Sequence, residues 1–320
     1  MNTQIKLAII AIAIVIPLAS LAITQTNSTS NNSTNENSKL QVVASATFLY
    51  EFSQNIGKEM IDVTLLVPMG ADPHDWEPTI RDTERLQKAD MIIVNGIGYE
   101  HWLNSLELSD IAGILVDTSN GISTLDSANH DEEKHDDHAK EDGHDVEDKH
   151  NHGVLDPHIW LNPVFAQLQV KNIANALSNS DPTNKNYYQS NAAIYNQKLN
   201  LLDTKIRTEL SGCKTDFITF HDAFSYFSEE YGLTQHTIIS STDSHGDVTP
   251  KTLEHIISLA RELNIKVIFA EENTSTKTSQ VIADEIGGKV LVLSPLEIVS
   301  DETYVEKMTQ NLESLKDALC

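Results

Sequence analysis

Residues 185–210 read KNYYQSNAAIYNQKLNLLDTKIRTEL and carry one apolar stripe. Spacings of three and four residues between the stripe's members predict a single helix of about seven turns. The members are Tyr188, Ala192, Tyr195, Leu199, Leu202, Ile206 and Leu210. Such a helix is ~40 Å long, which is longer than one small lobe requires. We therefore predict that the segment 184–211 is a helix that links two lobes.

Strands and helices alternate on both sides of this helix. The N-terminal side predicts strands at 40–46, 61–67, 91–95 and 114–117, a helix at 79–89, and another helix after Pro163. The C-terminal side predicts strands at 216–220, 236–240, 267–270 and 290–293, and helices at 222–231, 249–263, 276–286 and 302–319. Strands separated by helices indicate parallel pairing. The prediction is an α/β fold in which two α/β sandwich lobes with parallel sheets, 40–183 and 212–320, are joined by one long rigid helix.

Composition excludes several classes of protein. The 320 residues include 22 Lys and Arg against 47 Asp and Glu, a formal charge of −25. This acidity argues against nucleic-acid binding, because phosphate backbones are neutralised by Lys and Arg. Two Cys are too few for a Cys-rich zinc finger or a dense disulfide framework.

The N-terminal segment predicts export. Residues 7–23 (LAIIAIAIVIPLASLAI) form an uncharged apolar run, so 1–23 is predicted to be a signal peptide or an N-terminal membrane anchor. Residues 24–39 follow as a Ser/Thr/Asn-rich linker, with N-x-S/T sequons at Asn27, Asn31 and Asn32. We expect the folded part to lie outside the cytoplasm, in a periplasm or at the cell surface, and to contact the membrane through this segment if it is not cleaved.

In such a compartment, Cys213 and Cys320 have two alternatives. They can form a disulfide, which would stabilise the protein by roughly 4 to 5 kcal/mol in the chain-entropy model, or remain free thiols. Sequence alone leaves both open.

Three histidines lie at the ends of predicted elements. His74 is in a loop after a strand (VPMGADPHDWEP), His158 in a Pro-bounded loop (LDPHIWLNP), and His221 directly after a strand (ITFHDAFSYF). Three imidazoles favour Zn, Cu, Ni or Fe over Mg or Ca. We predict that they form a metal site in the cleft between the lobes, where such folds bind ligands.

Carboxylates lie beside these histidines, and their role has two interpretations. Asp75, Asp156 and Asp222 can orient the imidazole rings, or they can cap helices.

A second histidine cluster has a different character. Residues 130–152 hold 6 of the 13 His with 10 acidic residues and 3 Lys. Such a composition predicts a disordered loop, 119–153, that associates weakly with divalent cations. Of the remaining histidines, His101 and His255 are interpreted as core or surface residues, and His245 lies in a loop that can approach the cleft.

Several motifs occur in a specific order: VVASATFLYEF, LVPMGADPHDWEPT, ADMIIVNGIGYE, DPHIWLNP, FITFHDAFSYF, TPKTLEHI, VIFAEEN and VLVLSPLE. Together with the His-rich loop, this order resembles periplasmic solute-binding proteins, the zinc-capturing components of ATP-binding-cassette importers, over about 40–319. The resemblance implies that His74, His158 and His221 are metal ligands, and that His at position 221 indicates zinc rather than manganese. Ser294 stands where the family often has Asp, so water, Glu271 or a loop His remain candidates for the fourth ligand.

The resemblance implies a receptor that is not an enzyme. It would capture Zn2+ as transported cargo and deliver it to a membrane permease driven by an ATPase subunit, and we expect a monomer with small lobe movement. Transport of Mn2+, Fe2+ or Ni2+ is the main alternative. A surface adhesin is another, as is a zinc hydrolase, although the sequence has no H-E-x-x-H helix.

Overall fold

A computed structural model describes residues 39–68, 71, 73–106, 111–125, 155–239, 248–272 and 276–320. The predicted N-terminal signal or anchor, nearly all of the linker, His245 and all six histidines of 130–152 lie outside these residues. No helix in the described ranges is long and apolar enough to span a membrane.

The first lobe is a parallel sheet with helices against it. Its elements are β1 (Leu40–Ala44), α1 (Thr47–Gly57), β2 (Ile61–Leu65), α2 (Ile80–Lys88), β3 (Met91–Val94), β4 (Ile114–Asp117) and α3 (Pro163–Ser180). All neighbouring strands pair in parallel, in the order β2-β1-β3-β4. Every residue of β3 is buried, as expected for a strand covered on both faces.

The second lobe repeats this topology. After the linking helix α4 (Lys185–Leu210), its elements are β5 (Asp216–Thr219), α5 (Ser225–Tyr231), β6 (Thr234–Thr237), α6 (Pro250–Glu262), β7 (Val267–Ala270), α7 (Lys277–Ile286), β8 (Lys289–Val292) and α8 (Tyr304–Leu319). The strand order is β6-β5-β7-β8, again parallel throughout. The predicted fold class, two α/β lobes joined by one long helix, is therefore confirmed.

Helix α4 belongs to the core of both lobes. All seven residues of its predicted apolar stripe are buried. The helix packs against α1 and α3 on the first-lobe side and against α8 on the second-lobe side. One hydrophobic cluster runs from Val42 in β1, through α4, to Leu319 at the end of α8. The linking helix is therefore embedded in the structure along its length.

Two predicted elements are shifted in the second lobe. The strand predicted at 236–240 is observed as β6 at Thr234–Thr237. Its position is set by backbone pairing with β5, in which Asp216 to Thr219 face Thr234 to Thr237, and not by the apolar residues that follow. The N–H groups of Ile238 and Ile239 still donate to the carbonyls of Thr219 and Phe220, at 3.0 and 2.8 Å. The helix predicted at 222–231 begins only at Ser225.

A disulfide joins Cys213 to Cys320, which resolves the two alternatives left by the sequence. Cys213 lies shortly after α4, and Cys320 follows α8 directly. The bond therefore ties the end of the linking helix to the end of α8.

Candidate metal centre

The structure brings His74, His158 and His221 together. His74 lies in the loop after β2, His158 immediately precedes a short 3₁₀ helix (Ile159–Leu161), and His221 follows β5. All three are buried, with exposures of 9%, 0% and 1%. Their ring centroids lie 5.3 to 6.2 Å apart. The two Asp-Pro-His loops and the β5 turn thus converge on one point.

A fourth side chain, Glu297, completes this group. Its Oε1 lies 2.8 Å from His74 Nε2 and 3.4 Å from His158 Nε2. One ligand atom from each of the four residues lies within 4.8 Å of the others. We name the set of His74, His158, His221 and Glu297 the His3Glu cluster. Sequence reasoning did not identify Glu297, although it ends the VLVLSPLE motif and is an acidic residue shortly after β8.

The residues considered for the fourth position have other roles in the structure. Glu271, directly after β7, accepts a hydrogen bond from the backbone N–H of His221 at 3.1 Å, and its Oε1 lies 2.5 Å from His221 Nδ1. Glu271 therefore orients the His221 ring through Nδ1, the ring nitrogen on the side away from the His3Glu cluster. Ser294 hydrogen-bonds to Glu272 and to the backbone of Leu296, and is not one of the four cluster residues.

Asp156 orients His158 in the same manner. Its Oδ1 lies 2.7 Å from His158 Nδ1 and accepts the backbone N–H of the same residue at 2.9 Å. With both Nδ1 atoms held by carboxylates, the Nε2 atoms of His158 and His221 face each other at 3.4 Å. Carboxylate partners of this kind fix ring orientation and raise the basicity of metal-ligating imidazoles.

The other two carboxylates differ from Asp156. Asp222 accepts a hydrogen bond from Ser225 Oγ at 2.8 Å, but the N-cap of α5 is Phe224 and has no side-chain capping bond, so the capping interpretation of Asp222 is wrong. Asp75 is exposed.

Aromatic rings enclose the cluster. The Tyr99 ring lies edge-on to His74 at 5.6 Å between centroids, and the Trp160 ring lies 5.1 Å from His158. Both aromatic side chains are buried. Because the walls exclude water, electrostatic interactions within the cluster are stronger than they would be at the surface.

The same enclosure changes the protonation of the cluster. Burial disfavours a charged His158, but the adjacent carboxylates Asp156 and Glu297 outweigh this and raise its pKa to about 10. Burial alone would raise the pKa of Glu297, but His74 and His158 lower it well below the usual range. In the absence of a cation, the cluster thus holds an ionised carboxylate beside a protonated imidazole. A metal cation has to displace that proton.

The remaining described histidines lie outside the cluster. His101 and His255 are exposed. His236 Nε2 lies 2.9 Å from Asp216 Oδ1, across the β5 and β6 pair.

The chain is similar to known proteins over almost all of the described residues. The profile of the family described as zinc-uptake complex component A, periplasmic (ZnuA), matches residues 42–318. The Bacillus subtilis protein named high-affinity zinc uptake system protein ZnuA is 41% identical over 293 residues, 89% of each chain.

Two further matches extend the comparison. The zinc-binding protein AdcA of Streptococcus pyogenes is 32% identical over 87% of this chain, which spans only 56% of that longer protein. A crystal structure of ZnuA superposes with a TM-score of 0.75 at 29% identity, covering 88% of this chain and all of that one. The extent of the profile match and the identity to the Bacillus protein establish that the chain belongs to the ZnuA family.

Proposed function

We propose that this protein is an extracytoplasmic receptor that captures Zn2+ in the His3Glu cluster and releases it for uptake. The observation that carries the proposal is the convergence of four buried ligand atoms within 4.8 Å of one another. The Zn2+ ion would be transported cargo and not a resident cofactor. Membership of the ZnuA family and the zinc-binding names of the relatives support this assignment.

The donor set favours zinc over the alternative cargoes. Three imidazole nitrogens and one carboxylate oxygen suit a tetrahedral Zn2+ ion, whereas Mn2+ prefers more oxygen ligands. Fe2+ and Ni2+ accept imidazole as well, so the donor set alone disfavours them less strongly than Mn2+.

The cluster favours binding over hydrolysis. A catalytic zinc site holds its ion with three protein ligands and keeps the fourth position for water. Here Glu297 supplies a fourth protein donor, and Tyr99 and Trp160 cover the rings of His74 and His158. We therefore expect no esterase or lactamase turnover from the zinc-loaded protein, and measurable turnover would support the hydrolase alternative.

Delivery would require membrane partners. A receptor of this family supplies the metal to the permease of an ATP-binding-cassette importer, whose ATPase subunit powers transport. We propose that the predicted N-terminal segment exports the folded part or anchors it to the membrane, and that the receptor acts as a monomer. The adhesin alternative stays a prediction.

Metal titration tests the site directly. We would strip the protein of metal and titrate Zn2+ and Mn2+ by calorimetry, in the wild type and in a triple variant with His74→Ala, His158→Ala and His221→Ala. His255→Ala, which removes an exposed histidine outside the cluster, is the matched control. Tight zinc binding is expected in the control and not in the triple variant. Retention of tight binding in the triple variant would refute the site.

A deletion of residues 130–152 separates the cluster from the acidic His-rich segment. If the cluster is the high-affinity site, the deletion variant keeps one tight Zn2+ site and loses only weaker ones. Loss of all tight binding would place the main site in the deleted segment.

A further inference from the structure

We propose that Ser294 is a positioning residue that holds Glu297 in the metal site and thereby contributes to discrimination between Zn2+ and Mn2+. This inference rests on the proposed function. Ser294 begins a short segment without regular secondary structure, residues 294–297, in which the chain bends at Leu296 before it reaches Glu297. We name this segment the Glu297 turn.

The backbone of the Glu297 turn has an unusual conformation. Leu296 adopts a φ of +61°, in the left-handed region that a branched residue rarely occupies. Such a conformation persists only where the surrounding contacts determine it, and it is concentrated at ligand sites. The turn therefore depends on the groups that bind its main chain.

Side chains of the second lobe bind the start of the turn. Asn311 in α8 makes a pair of hydrogen bonds to the backbone of Ser294: its Oδ1 accepts the N–H, and its Nδ2 donates to the C=O, both at 2.7 Å. Ser294 Oγ in turn accepts the N–H of Leu296 at 3.2 Å. Both Ser294 and Asn311 are buried, so water does not substitute for these contacts.

The Ser294 hydroxyl is held by a partly buried ion pair between Glu272 and Lys307. It donates to Glu272 Oε2 at 2.9 Å, and the same oxygen accepts from Lys307 Nζ at 2.7 Å. Because the hydroxyl hydrogen points to Glu272, the lone pairs of the hydroxyl oxygen are free to accept the hydrogen bond from the Leu296 N–H. Glu272 and Lys307 therefore fix the direction in which the hydroxyl acts.

Side chains of the first lobe bind the remaining carbonyls. Trp160 Nε1 donates to the C=O of Pro295 at 2.8 Å, and Thr47 Oγ1 donates to the C=O of Leu296 at 2.9 Å. Because proline has no N–H, every main-chain polar group of residues 294–296 has a partner. The two lobes hold the turn between them, and Ser294 is the one residue of it whose own side chain closes the turn.

The position of Glu297 bears on which metal the site prefers. Glu297 presents Oε1 to both His74 and His158, a pose suited to one oxygen on a tetrahedral ion. A carboxylate released from this pose can rotate and offer two oxygens, which suits the higher oxygen coordination that Mn2+ prefers. Loosening the Glu297 turn is therefore expected to weaken Zn2+ binding more than Mn2+ binding.

The test uses Ser294→Ala, with Ser294→Thr as the variant that keeps the hydroxyl. Ser178→Ala is the matched control, since Ser178 is equally buried at 4% and donates to the carbonyl of Ala174 in α3, outside the cluster. Zn2+ and Mn2+ affinities would be measured by chelator competition, thermal stability would be recorded, and Co2+ absorption would report four-coordinate geometry.

We expect Ser294→Ala to bind Zn2+ about 10- to 100-fold more weakly, as for other residues that orient metal ligands. Mn2+ affinity should fall less, the Co2+ spectrum should lose intensity, and Ser294→Thr should restore both. An unchanged Zn2+/Mn2+ preference and Co2+ spectrum in Ser294→Ala would overturn the proposal, as would equal losses in Ser178→Ala. If Ser294→Ala does not fold, Lys307→Met tests the same hydrogen-bond network. An unchanged Zn2+/Mn2+ preference in Lys307→Met would then overturn the proposal.

A parallel measurement on Glu297→Gln separates this inference from the proposed function. Wild-type zinc affinity in Glu297→Gln would refute Glu297 as a ligand and with it the inference. Weakened binding in Glu297→Gln beside unchanged binding in Ser294→Ala would refute only the positioning role of Ser294.

Discussion

At the residue scale, the protonation of His158 is expected to affect metal binding. Its pKa is raised to about 10, because Asp156 and Glu297 outweigh the effect of burial. At neutral pH the metal-free ring is therefore protonated, and a metal ligand has to be neutral. We predict that Zn2+ binding at pH 7 releases about one proton from the cluster, and that apparent affinity rises by up to about tenfold per pH unit below pH 10. Calorimetry in buffers of different ionisation enthalpy measures this release. Zinc binding with an enthalpy independent of the buffer would contradict it.

The same shifts give the metal-free protein a pH-dependent stability. The raised pKa of His158 contributes stability that is complete below its unfolded value of about 6.5 and is lost as pH rises through about 10. The lowered pKa of Glu297 contributes stability that is present above its unfolded value of about 4.3 and is lost as pH falls. His158 and Glu297 together therefore stabilise the metal-free protein most between about pH 4.3 and about pH 6.5, the pKa values of the two groups in the unfolded state.

At the residue scale, sequence reasoning located the histidines but not the carboxylate. His74, His158 and His221 each adjoin the end of a strand or a Pro-bounded loop, which are places that local patterns reveal. Glu297 lies 223 residues from His74 along the chain, and no spacing rule connects them. Only the folded turn, with Leu296 in a left-handed conformation, directs its side chain to the cluster.

At the element scale, several hydrogen bonds join the linking helix to the first lobe, and the one made by Tyr195 reaches a carboxylate. Tyr195 in α4 donates to Glu51 Oε1 in α1 at 2.6 Å, and Glu51 Oε2 accepts the N–H of Tyr304 at 2.6 Å. Burial raises the pKa of Glu51, whereas the hydrogen bonds from Tyr195 and Tyr304 lower it. The ionised form of this carboxylate is therefore stabilised by these two donors. We predict that Tyr195→Phe lowers the free energy of unfolding by about 1 to 3 kcal/mol, because it removes a donor from a partly buried carboxylate.

Urea unfolding followed by circular dichroism measures this loss. Leu201→Ala, an exposed position on the same helix, serves as the control and should change stability little. A loss in Tyr195→Phe no greater than that in the control would show that the hydrogen bond does not stabilise the fold.

Periodicity predicted the elements well where an apolar pattern was strong. The stripe of α4 is buried as expected, because a helix between two lobes must bury one face along its length. Strand β6 was displaced, since its four residues are all polar and none is fully buried. Helix α5 starts three residues late because 221–224 form the turn that presents His221, and no helical period reports such a turn.

At the scale of the whole molecule, the disulfide is a large contributor to stability. It closes a separation of 107 residues between Cys213 and Cys320. In the chain-entropy model, a loop of this length stabilises the fold by about 5 kcal/mol. We predict that reduction, or the double variant Cys213→Ser with Cys320→Ser, lowers the free energy of unfolding by an amount of that order. Since the bond lies at the end of α4 and outside the His3Glu cluster, zinc affinity of the folded variant should be unchanged; equal stability with and without the bond would contradict the prediction.

The shared core also bears on how the lobes respond to metal. Side chains cross between the lobes beside the cluster, since Trp160 Nε1 donates to Pro295 and Tyr304 Oη donates to the carbonyl of Trp160 at 2.8 and 2.6 Å. Closure about a hinge would break these buried contacts and disturb the hydrophobic cluster that includes α4. We therefore predict that Zn2+ moves the backbone of the two lobes by no more than about 1 Å, as in complexes formed without rearrangement.

Distances between spin labels at Lys88 in α2 and Lys251 in α6, both exposed, test this prediction. The distance distribution should keep its mean when saturating Zn2+ is added to the stripped protein, while a pair within one lobe, at Lys251 and Lys289, controls for changes in label mobility. A shift of several ångströms between the lobes, with the control pair unchanged, would mean that the contacts around Trp160 open without metal. In that case the Glu297 turn would be held only in the metal-bound form, and its carboxylate would join the cluster as part of closure.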